Sequence, residues 1–390
     1  MGCGVSKTPV PMIGNASAFY WACRNGDIQT VRQMLPTMST DEISRLEPNG
    51  STALHAACYF NRVEMVRLLL QSGCDRTVLN RHGLSAYREA QTEEIRRLFL
   101  RPDSDQFRFM DQDVGGLFTL VSARSGEGDS GKIPNNFVRG YSSIEGTTDA
   151  QLVAAAYKSK LKFVVQGKTE MDSSEKLKLI IEKCVWSINH PEAKRVKELF
   201  TKFWNPSKNR ANVDHLITMY TMETPFYGAL RDDNAAFTSM MYLHLDEYRE
   251  RAFKGRSYRG AAMTDDDIAA HRWALQNPGS IIETCTVQSM SSRQEIAEDF
   301  ATRYASPIKH KVLVVFDFPE ICPTAIALSQ ISDKIKGLSQ FDYEAEILLL
   351  PFTLFEVQDI KVNAQGKWYH IFLKNVPVPE KSLFSAWRNS

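Results

Sequence analysis

Three segments, far apart in the chain, carry side chains that could act together in one cleft. Residues 257–260 look like the start of a strand and place an arginine beside a glycine. In the second segment a predicted strand ends in the hydroxyls of Ser289 and Ser291, and a helix follows. In the third, Glu344 and Glu346 open an apolar strand. Side chains two residues apart on a strand point to one face, so the two carboxylates would share a cleft if strand geometry already holds at Glu344.

Each segment taken alone also fits a structural role. Arg259 could be a surface ion-pair residue, and paired glutamates at a strand start are often solvated edge charges. Ser291 or Ser292 could cap the helix that follows. For any one segment, the structural role is a simpler explanation than a functional one. The occurrence of all three segments in this order is better explained by a shared site.

The three segments in this order resemble the R-S-E class of mono-ADP-ribosyltransferases, the arginine-specific type. The family's first motif, Y-R-G, falls on residues 258–260, and its second, F-x-S-T-S followed by A-x-x-F, falls on residues 287–300. Its third, E-x-E at the head of a strand, falls on residues 344–357, and an upstream Y-T-x-E-T-P-F-Y helix falls on residues 220–231. The resemblance covers residues 151–375. Departures from the family pattern stand at Val287, Met290 and Leu350.

The resemblance implies a role for each residue. Arg259 would hold the pyrophosphate or ribose region of NAD, and Ser289 would bond to the nicotinamide ribose and orient a glutamate. Glu346 would bond to the ribose 2′-hydroxyl and stabilise an oxocarbenium-like transition state as nicotinamide leaves. Glu344 would bind and deprotonate the attacking group, an arginine in this family. No metal is required. The implied NAD contacts are Tyr258, Arg259, Gly260, Ser289, Ser291, Phe300 and Glu346, and the implied protein-substrate contacts are Phe341, Tyr343 and Glu344.

The N-terminal region contains a short repeat. Residues 50–75 resemble an ankyrin repeat, G-x-T-P-L-H-x-A-A followed by V-x-x-L-L-x-x-G-A-D, and Gly50 and Gly83 are 33 residues apart, which is the ankyrin period. A degenerate earlier copy surrounds Ala22, 35 residues before Ala57, so two residues are inserted between these copies. We therefore predict about three repeats over residues 15–101. They could bind a protein partner on their concave face or cap the following domain structurally.

Composition changes after the repeats. Residues 102–150 are rich in Gly, Ser, Asp and Pro and predict a linker or irregular segment. Within them residues 126–132 match G-x-x-x-x-G-K, but Ile133 and Pro134 follow where a phosphate-binding loop needs a hydroxyl and a starting helix, so we reject such a loop. Apolar spacing over residues 151–161, 174–188, 192–203 and 213–222 predicts helices.

The first residues predict a lipid anchor. Met1-Gly2-Cys3-Gly4-Val5-Ser6 matches the N-myristoylation pattern, with Gly2 as the acylated residue once Met1 is removed. One myristoyl chain holds a membrane only marginally, and Cys3 could supply the second chain as a palmitoylation site. A chance match in an irregular terminus is the alternative. With no signal peptide or transmembrane run, we expect an intracellular, lipid-anchored protein.

The overall composition excludes several classes. Lys and Arg number 47 and Asp and Glu 46, which argues against a protein that coats nucleic acid. The basic residues between Arg251 and Arg259 are better explained as a cofactor-binding or solvated patch than as a nucleic-acid site. The 7 cysteines are scattered and odd in number, which indicates neither a disulfide framework nor a zinc finger, and the histidines lack metal-ligand spacing.

We therefore predict an α+β protein. A membrane-anchoring terminus (1–14), ankyrin helices (15–101) and a linker (102–150) would precede a transferase domain (151–390), with a helical part over about 151–250 and a two-sheet β core with an NAD cleft over about 255–375. The expected activity is transfer of ADP-ribose to protein arginine, with substrates recruited by the repeats. An NAD glycohydrolase and an inactive ankyrin scaffold are the alternatives.

Overall fold

The computed structural model describes residues 16–101, 118–122, 169–277, 280–303, 309–363 and 368–377. It divides into two compact units: the first combines residues up to Arg101 with Gln330–Gln340, and the second contains the rest. Gly2, Cys3, the G-x-x-x-x-G-K match and the helix expected over 151–161 lie outside the described residues. In the part of the chain that is described, no helix has the length and apolarity needed to cross a membrane.

The first unit contains three helix pairs in its described residues, as the repeat predicts. Each pair opens with a hydroxyl cap: Ser17, Thr52 and Ser85 each accept a hydrogen bond from the backbone N–H three residues later, which satisfies a free donor of the first helical turn. The helices are α1 Ala18–Asn25, α2 Ile28–Met34, α3 Thr40–Ile43, α4 Ala53–Tyr59, α5 Val63–Gln71, α6 Ala86–Glu89 and α7 Glu93–Leu98.

Short α3 lies between the first two pairs, where the sequence has its insertion, and a capping box between Ser39 and Glu42 starts it. The pairs pack through the apolar stripe expected from the repeat. Ala57, Val66 and Leu69 are fully buried. Burying this stripe against neighbouring pairs stabilises helices that are too short to form alone.

Three helical regions of the second unit coincide in position with predicted segments. A two-stranded ribbon of Trp204–Asn205 and Arg210–Ala211 lies between two of these regions and was not predicted, because the short polar run around Pro206 shows no alternation of apolar and polar residues. The elements are α8 Glu170–Ile181 with a π-helical end Glu182–Trp186, α9 Ala193–Phe203, β2 Trp204–Asn205, β3 Arg210–Ala211, α10 Val213–Thr221, α11 Phe226–Asp232 and α12 Ala235–Leu243.

A large sheet follows, with two helices. Its described strands run in the order β1-β5-β9-β10-β7-β4-β6-β8. The elements are β1 Phe118–Ser122, β4 Ala252–Met263, α13 Asp265–Gln276, β5 Ile281–Thr284, β6 Gln288–Ser291, α14 Gln294–Arg303, β7 His310–Ala327, β8 Glu346–Leu349, β9 Leu354–Val362 and β10 Trp368–Asn375.

The long strand β7 joins what we expected to be two separate sheets. Its first part pairs with β10 and β4, and its last residues, Ala325–Ala327, pair with β8. Because β8 also pairs with β6, and β6 with β4, the four strands β4, β6, β8 and β7 close on one another. The ring of strands fixes β4, β6 and β8, which carry the predicted site.

Two local expectations need correction. Residues 257–260 lie within β4, which begins at Ala252, and are not a strand start. Phe118–Ser122, inside the segment expected to be irregular, forms the edge strand that pairs antiparallel with β5. The core of the sheet is apolar, and the ring of Phe355 makes edge-to-face contacts with both Phe316 and Phe318.

Candidate active site

Neighbouring strands bring the three predicted segments together. Tyr258 on β4 is opposite Ser291 on β6, and Ser291 is opposite Glu346 at the first position of β8. Arg259, Ser289, Glu344 and Glu346 are all buried, at 1% exposure or less. Ser289 contacts Arg259, 30 positions away in sequence, and Glu346, 57 positions away, so these three residues form one buried polar cluster.

Ser289 is the centre of this cluster. Its Oγ donates to Glu346 Oε1 at 2.6 Å, and the hydroxyl of Tyr220 lies 2.8 Å from the same Oγ. A serine hydroxyl has one hydrogen, and Ser289 donates it to Glu346, so Tyr220 must donate to Ser289. The result is a directed chain, Tyr220 to Ser289 to Glu346, that fixes one carboxylate oxygen.

Tyr220 is a site residue that the sequence-based prediction missed. It is fully buried on α10, where its ring packs against Phe237 and Tyr227 at 5.2 and 5.5 Å. The available signal was its position as the first residue of the upstream Y-T-x-E-T-P motif. That motif was counted in the family resemblance without a role for its tyrosine, whereas the structure shows that this tyrosine supplies a hydroxyl to the cluster.

Arg259 also contacts Ser289, through the backbone of that residue. Its Nη1 donates to the backbone carbonyl of Ser289, a charge-assisted bond that fixes β6 beside β4. The adjacent residue, Gly260, must lack a side chain because of how α14 packs against it. A Cβ there would lie 2.5 Å from the carbonyl oxygen of Ala297 and 2.8 Å from the amide of Ala301, so only glycine lets α14 pack this closely on β4.

Glu344 does not lie on a strand, and the argument from strand alternation is wrong. It ends a 3₁₀ turn, Asp342–Glu344, and the next residue, Ala345, is left-handed with φ 45° and ψ 48°. The turn is fixed from behind, because Ser291 Oγ donates to the Glu344 carbonyl at 2.6 Å. The carboxylate of Glu344 accepts from the hydroxyl of Tyr343, with Oη and Oε1 3.2 Å apart.

Arg293 is a second residue that sequence reasoning missed. Its Nη1 donates to the carbonyl of Tyr343 at 2.9 Å, and its Nε to Glu295 at 2.8 Å. Arg293, two residues beyond the end of β6, therefore links this part of the chain to the turn that carries Glu344. An arginine just past a serine-rich strand end gives no signal of this contact in the sequence.

The remaining predicted residues pack around the cluster. Phe341 and Phe300 are buried at 4% and 5% exposure. Tyr258 is half-buried against Ala297, Leu313 and Val315. Each therefore has a packing role, whatever else it contacts.

The basic patch between Arg251 and Arg259 separates into unrelated parts. Arg251 is buried and donates to the carbonyls of Ala327 and Ser329, whereas Arg256 is exposed and faces Asp317 at 3.6 Å. Only Arg259 belongs to the cluster. Within the described ranges, no three His, Cys, Asp or Glu side chains are grouped as metal ligands would be.

Solved structures similar to this chain include ADP-ribosyltransferases. The Vis toxin of Vibrio splendidus shares 15% identity over 62% of this chain and 90% of its own, with a TM-score of 0.24. The type III effector XopAI of Xanthomonas axonopodis pv. citri shares 15% over 59% of this chain and all of its own, with a TM-score of 0.38. Scores this low do not establish a common fold.

The N-terminal similarities are stronger but short. Residues 4–80 match the model of ankyrin repeats in three copies. Mouse ankyrin repeat domain-containing protein 40 is 36% identical over 81 residues, which are 21% of this chain and 22% of that protein. Zebrafish Notch-regulated ankyrin repeat-containing protein B is 34% identical over 84 residues, 21% of this chain and 76% of that protein. The chain thus spans about a fifth of the first relative. Through its N-terminal unit, this chain belongs to the ankyrin-repeat proteins.

Proposed function

We propose that the second unit is an NAD-dependent mono-ADP-ribosyltransferase that modifies arginine side chains of proteins. The observation that carries the proposal is the directed chain from Tyr220 through Ser289 to Glu346, with Arg259 bonded to the carbonyl of the same serine. Side chains from α10, β4, β6 and β8 meet there, and all four belong to the motifs that resemble the R-S-E class.

The donor set fits a dinucleotide with a positively charged nicotinamide. Glu346 Oε1 accepts from Ser289, and a carboxylate offers about four lone-pair sites in all, so the group can also accept a hydrogen bond from a ribose hydroxyl. A carboxylate buried among apolar strands also stabilises positive charge more strongly than one in water. Arg259 supplies a planar cation, which suits the pyrophosphate.

The reaction balances without a further reactant. The bond between nicotinamide nitrogen and ribose C1″ breaks, and its electron pair neutralises the nicotinamide. Glu346 stabilises the charge that develops on the ribose. The guanidinium nitrogen of the acceptor then forms a bond to C1″, and Glu344 takes the proton that this nitrogen loses.

NAD glycohydrolase activity is the second candidate, and the placement of Glu344 favours it. This carboxylate is buried, and Tyr343 bonds to it. Water is small enough to reach such a carboxylate. A guanidinium group is larger and would need the turn that carries Glu344 to open. Both candidates use Glu346 in the same way and differ only in the acceptor.

The first unit and the terminus extend the proposal. Ankyrin repeats suit recruitment of protein substrates, since their stacked pairs present a continuous surface. Acylation at Gly2 and Cys3 would then place the enzyme at a membrane. Mass spectrometry of the N-terminal peptide from a eukaryotic host tests this part, and an unmodified or merely acetylated Gly2 would reject it.

The test of the activity uses labelled NAD, agmatine as an arginine analogue and a cell lysate. We expect label on agmatine and on protein arginine with the wild type, none with Glu346→Gln, and free ADP-ribose without transfer with Glu344→Gln. Glu320→Gln, an exposed carboxylate on β7, is the matched control. Label transfer that survives in Glu346→Gln would refute the site, and ADP-ribose without labelled acceptor from the wild type would favour the glycohydrolase.

A further inference from the structure

The segment Gln330–Gln340, here called the docking segment, groups with the first unit although the second unit precedes and follows it in sequence. The chain leaves β7 at Ala327, where the buried guanidinium of Arg251 binds the carbonyls of Ala327 and Ser329, both at 3.2 Å. It is back in the second unit at Phe341. The docking segment therefore connects the end of β7 to the turn that carries Glu344.

Gln330 attaches the docking segment to the third helix pair. Its side-chain amide nitrogen donates to the carbonyl of Gly83 at 2.6 Å and to that of Ser332 at 3.1 Å. Two carbonyl acceptors fix the orientation of the amide, since the nitrogen must face both. Gln330 is 8% exposed, so its bond to Gly83 is shielded from water.

Gly83 is shaped to receive this segment. It has φ +69°, and its N–H closes a turn onto the carbonyl of Asn80 at 2.9 Å. A Cβ at this position would lie 2.7 Å from the Cβ of Asp333 and 3.0 Å from its Cα. The glycine thus permits both the turn and the close approach of the docking segment.

Both ends of the docking segment are fixed while its middle faces water. Residues 331–334 are exposed around a tight turn, in which the amide of Ile335 donates to the carbonyl of Ser332 at 3.2 Å. Leu338, Ser339 and Gln340 are buried at 2–3% exposure. The chain continues directly into Phe341, whose carbonyl accepts from the amide of Glu344 at 3.0 Å.

We propose that the turn of the third repeat is an intramolecular docking site and that Gln330 is a positioning residue for the acceptor step. The proposal rests on the proposed function, because it assigns the docked segment to the half of the reaction that uses Glu344. Glu346 is held within the second unit, by pairing with β6, by Ser289 and by the amide of Leu328, which donates to its carbonyl at 2.8 Å. Undocking therefore impairs transfer to arginine and leaves cleavage of NAD unchanged.

The experiment compares full-length wild type, Gln330→Glu and Gln330→Met. The first variant places a carboxylate against two carbonyls, and the second removes the donor without adding charge, so that one neutral variant remains if the acid disturbs folding. Gln91→Glu is the matched control, since Gln91 is exposed in the same unit and its amide bonds only to the nearby Glu89 carbonyl among the hydrogen bonds described.

Hydrogen exchange of the peptide covering residues 330–340 gives a readout that does not depend on activity. Loss of a buried hydrogen bond raises the opening equilibrium about tenfold. We expect that increase in both Gln330 variants and none in Gln91→Glu. Transfer to agmatine should fall by a similar factor relative to NAD cleavage.

Unchanged exchange in both Gln330 variants would overturn the docking site, whatever the activity. Faster exchange with an unchanged ratio of transfer to cleavage would overturn the positioning role. A wild type that cleaves no NAD would refute the proposed function while the exchange result still decides the docking site.

Discussion

Replacing Tyr220 with phenylalanine removes one hydroxyl and leaves the ring that packs against Phe237. The lost bond is the first of the chain that ends on Glu346, so Ser289 keeps its hydrogen but loses the donor that fixes its rotation. A neutral hydrogen bond contributes about 1 kcal/mol, and cooperative chains ending on a charge contribute roughly 1–2 kcal/mol. At 1.36 kcal/mol for each factor of ten, we expect NAD cleavage to slow about 5- to 30-fold.

The assay is steady-state cleavage of labelled NAD, with thermal unfolding measured on the same samples. Tyr242→Phe is the matched control, because the single hydrogen of its buried hydroxyl is donated to the carbonyl of Pro351 at 2.7 Å. Both variants should lose about 1 kcal/mol of stability, and only Tyr220→Phe should lose rate.

A double-mutant cycle isolates the chain. In a Ser289→Ala background there is no hydroxyl for Tyr220 to orient, so Tyr220→Phe should cause no further loss of rate. Additive losses in the double variant would refute the directed chain. So would equal rate losses in Tyr220→Phe and Tyr242→Phe, since a shared loss indicates destabilisation of the fold.

Two further predictions concern packing and pH. Gly260→Ala should destabilise the second unit by roughly 1–3 kcal/mol, because its Cβ meets the backbone of α14, and unchanged thermal unfolding of this variant would contradict that packing. Burial lowers the pKa of His55 to about 4 from an ordinary 6.5, although its bond to the Leu84 carbonyl opposes the shift. The neutral imidazole stabilises the first unit above pH 6.5, and this stability is lost as pH falls toward 4. Hydrogen exchange of α4, corrected for intrinsic rates, should show about 2 kcal/mol lost by pH 5, and His55→Gln should remove that dependence.

The motifs that resemble a known family named Arg259, Ser289 and Glu346, and the structure brings these residues together on neighbouring strands. Their roles stay a prediction, and their arrangement could not be predicted in full. The left-handed Ala345 was not readable, since alanine normally fits a strand and only the surrounding contacts hold it otherwise. The role of Tyr220 was also not predictable, because an aromatic residue on a helix usually packs in the core. The partner of its hydroxyl, Ser289, lies 69 residues away in sequence.

The rest of the chain shows the same difference between features set by local sequence and features set by long-range contacts. Helix pairs with hydroxyl caps depend on neighbours in sequence, so Thr52 and the apolar stripe of α5 were predictable. The role of β7 was not, because a strand of 18 residues that pairs with three others is defined by long-range contacts. The docking of Gln330 belongs to the same class, since residue 330 contacts residue 83.

The left-handed residue between the two glutamates has an evolutionary consequence. Ala345 ends the turn of Glu344 and lets the strand start afresh at Glu346, so one carboxylate belongs to a loop and the other to a sheet ladder. Loops tolerate substitution and changes of length, whereas a ladder position in a closed ring of strands does not. Under the proposed function, mutation of the loop can alter the choice of acceptor while the ladder position that serves NAD cleavage is inherited intact. A descendant of such an enzyme could exchange one target for another without first losing its chemistry.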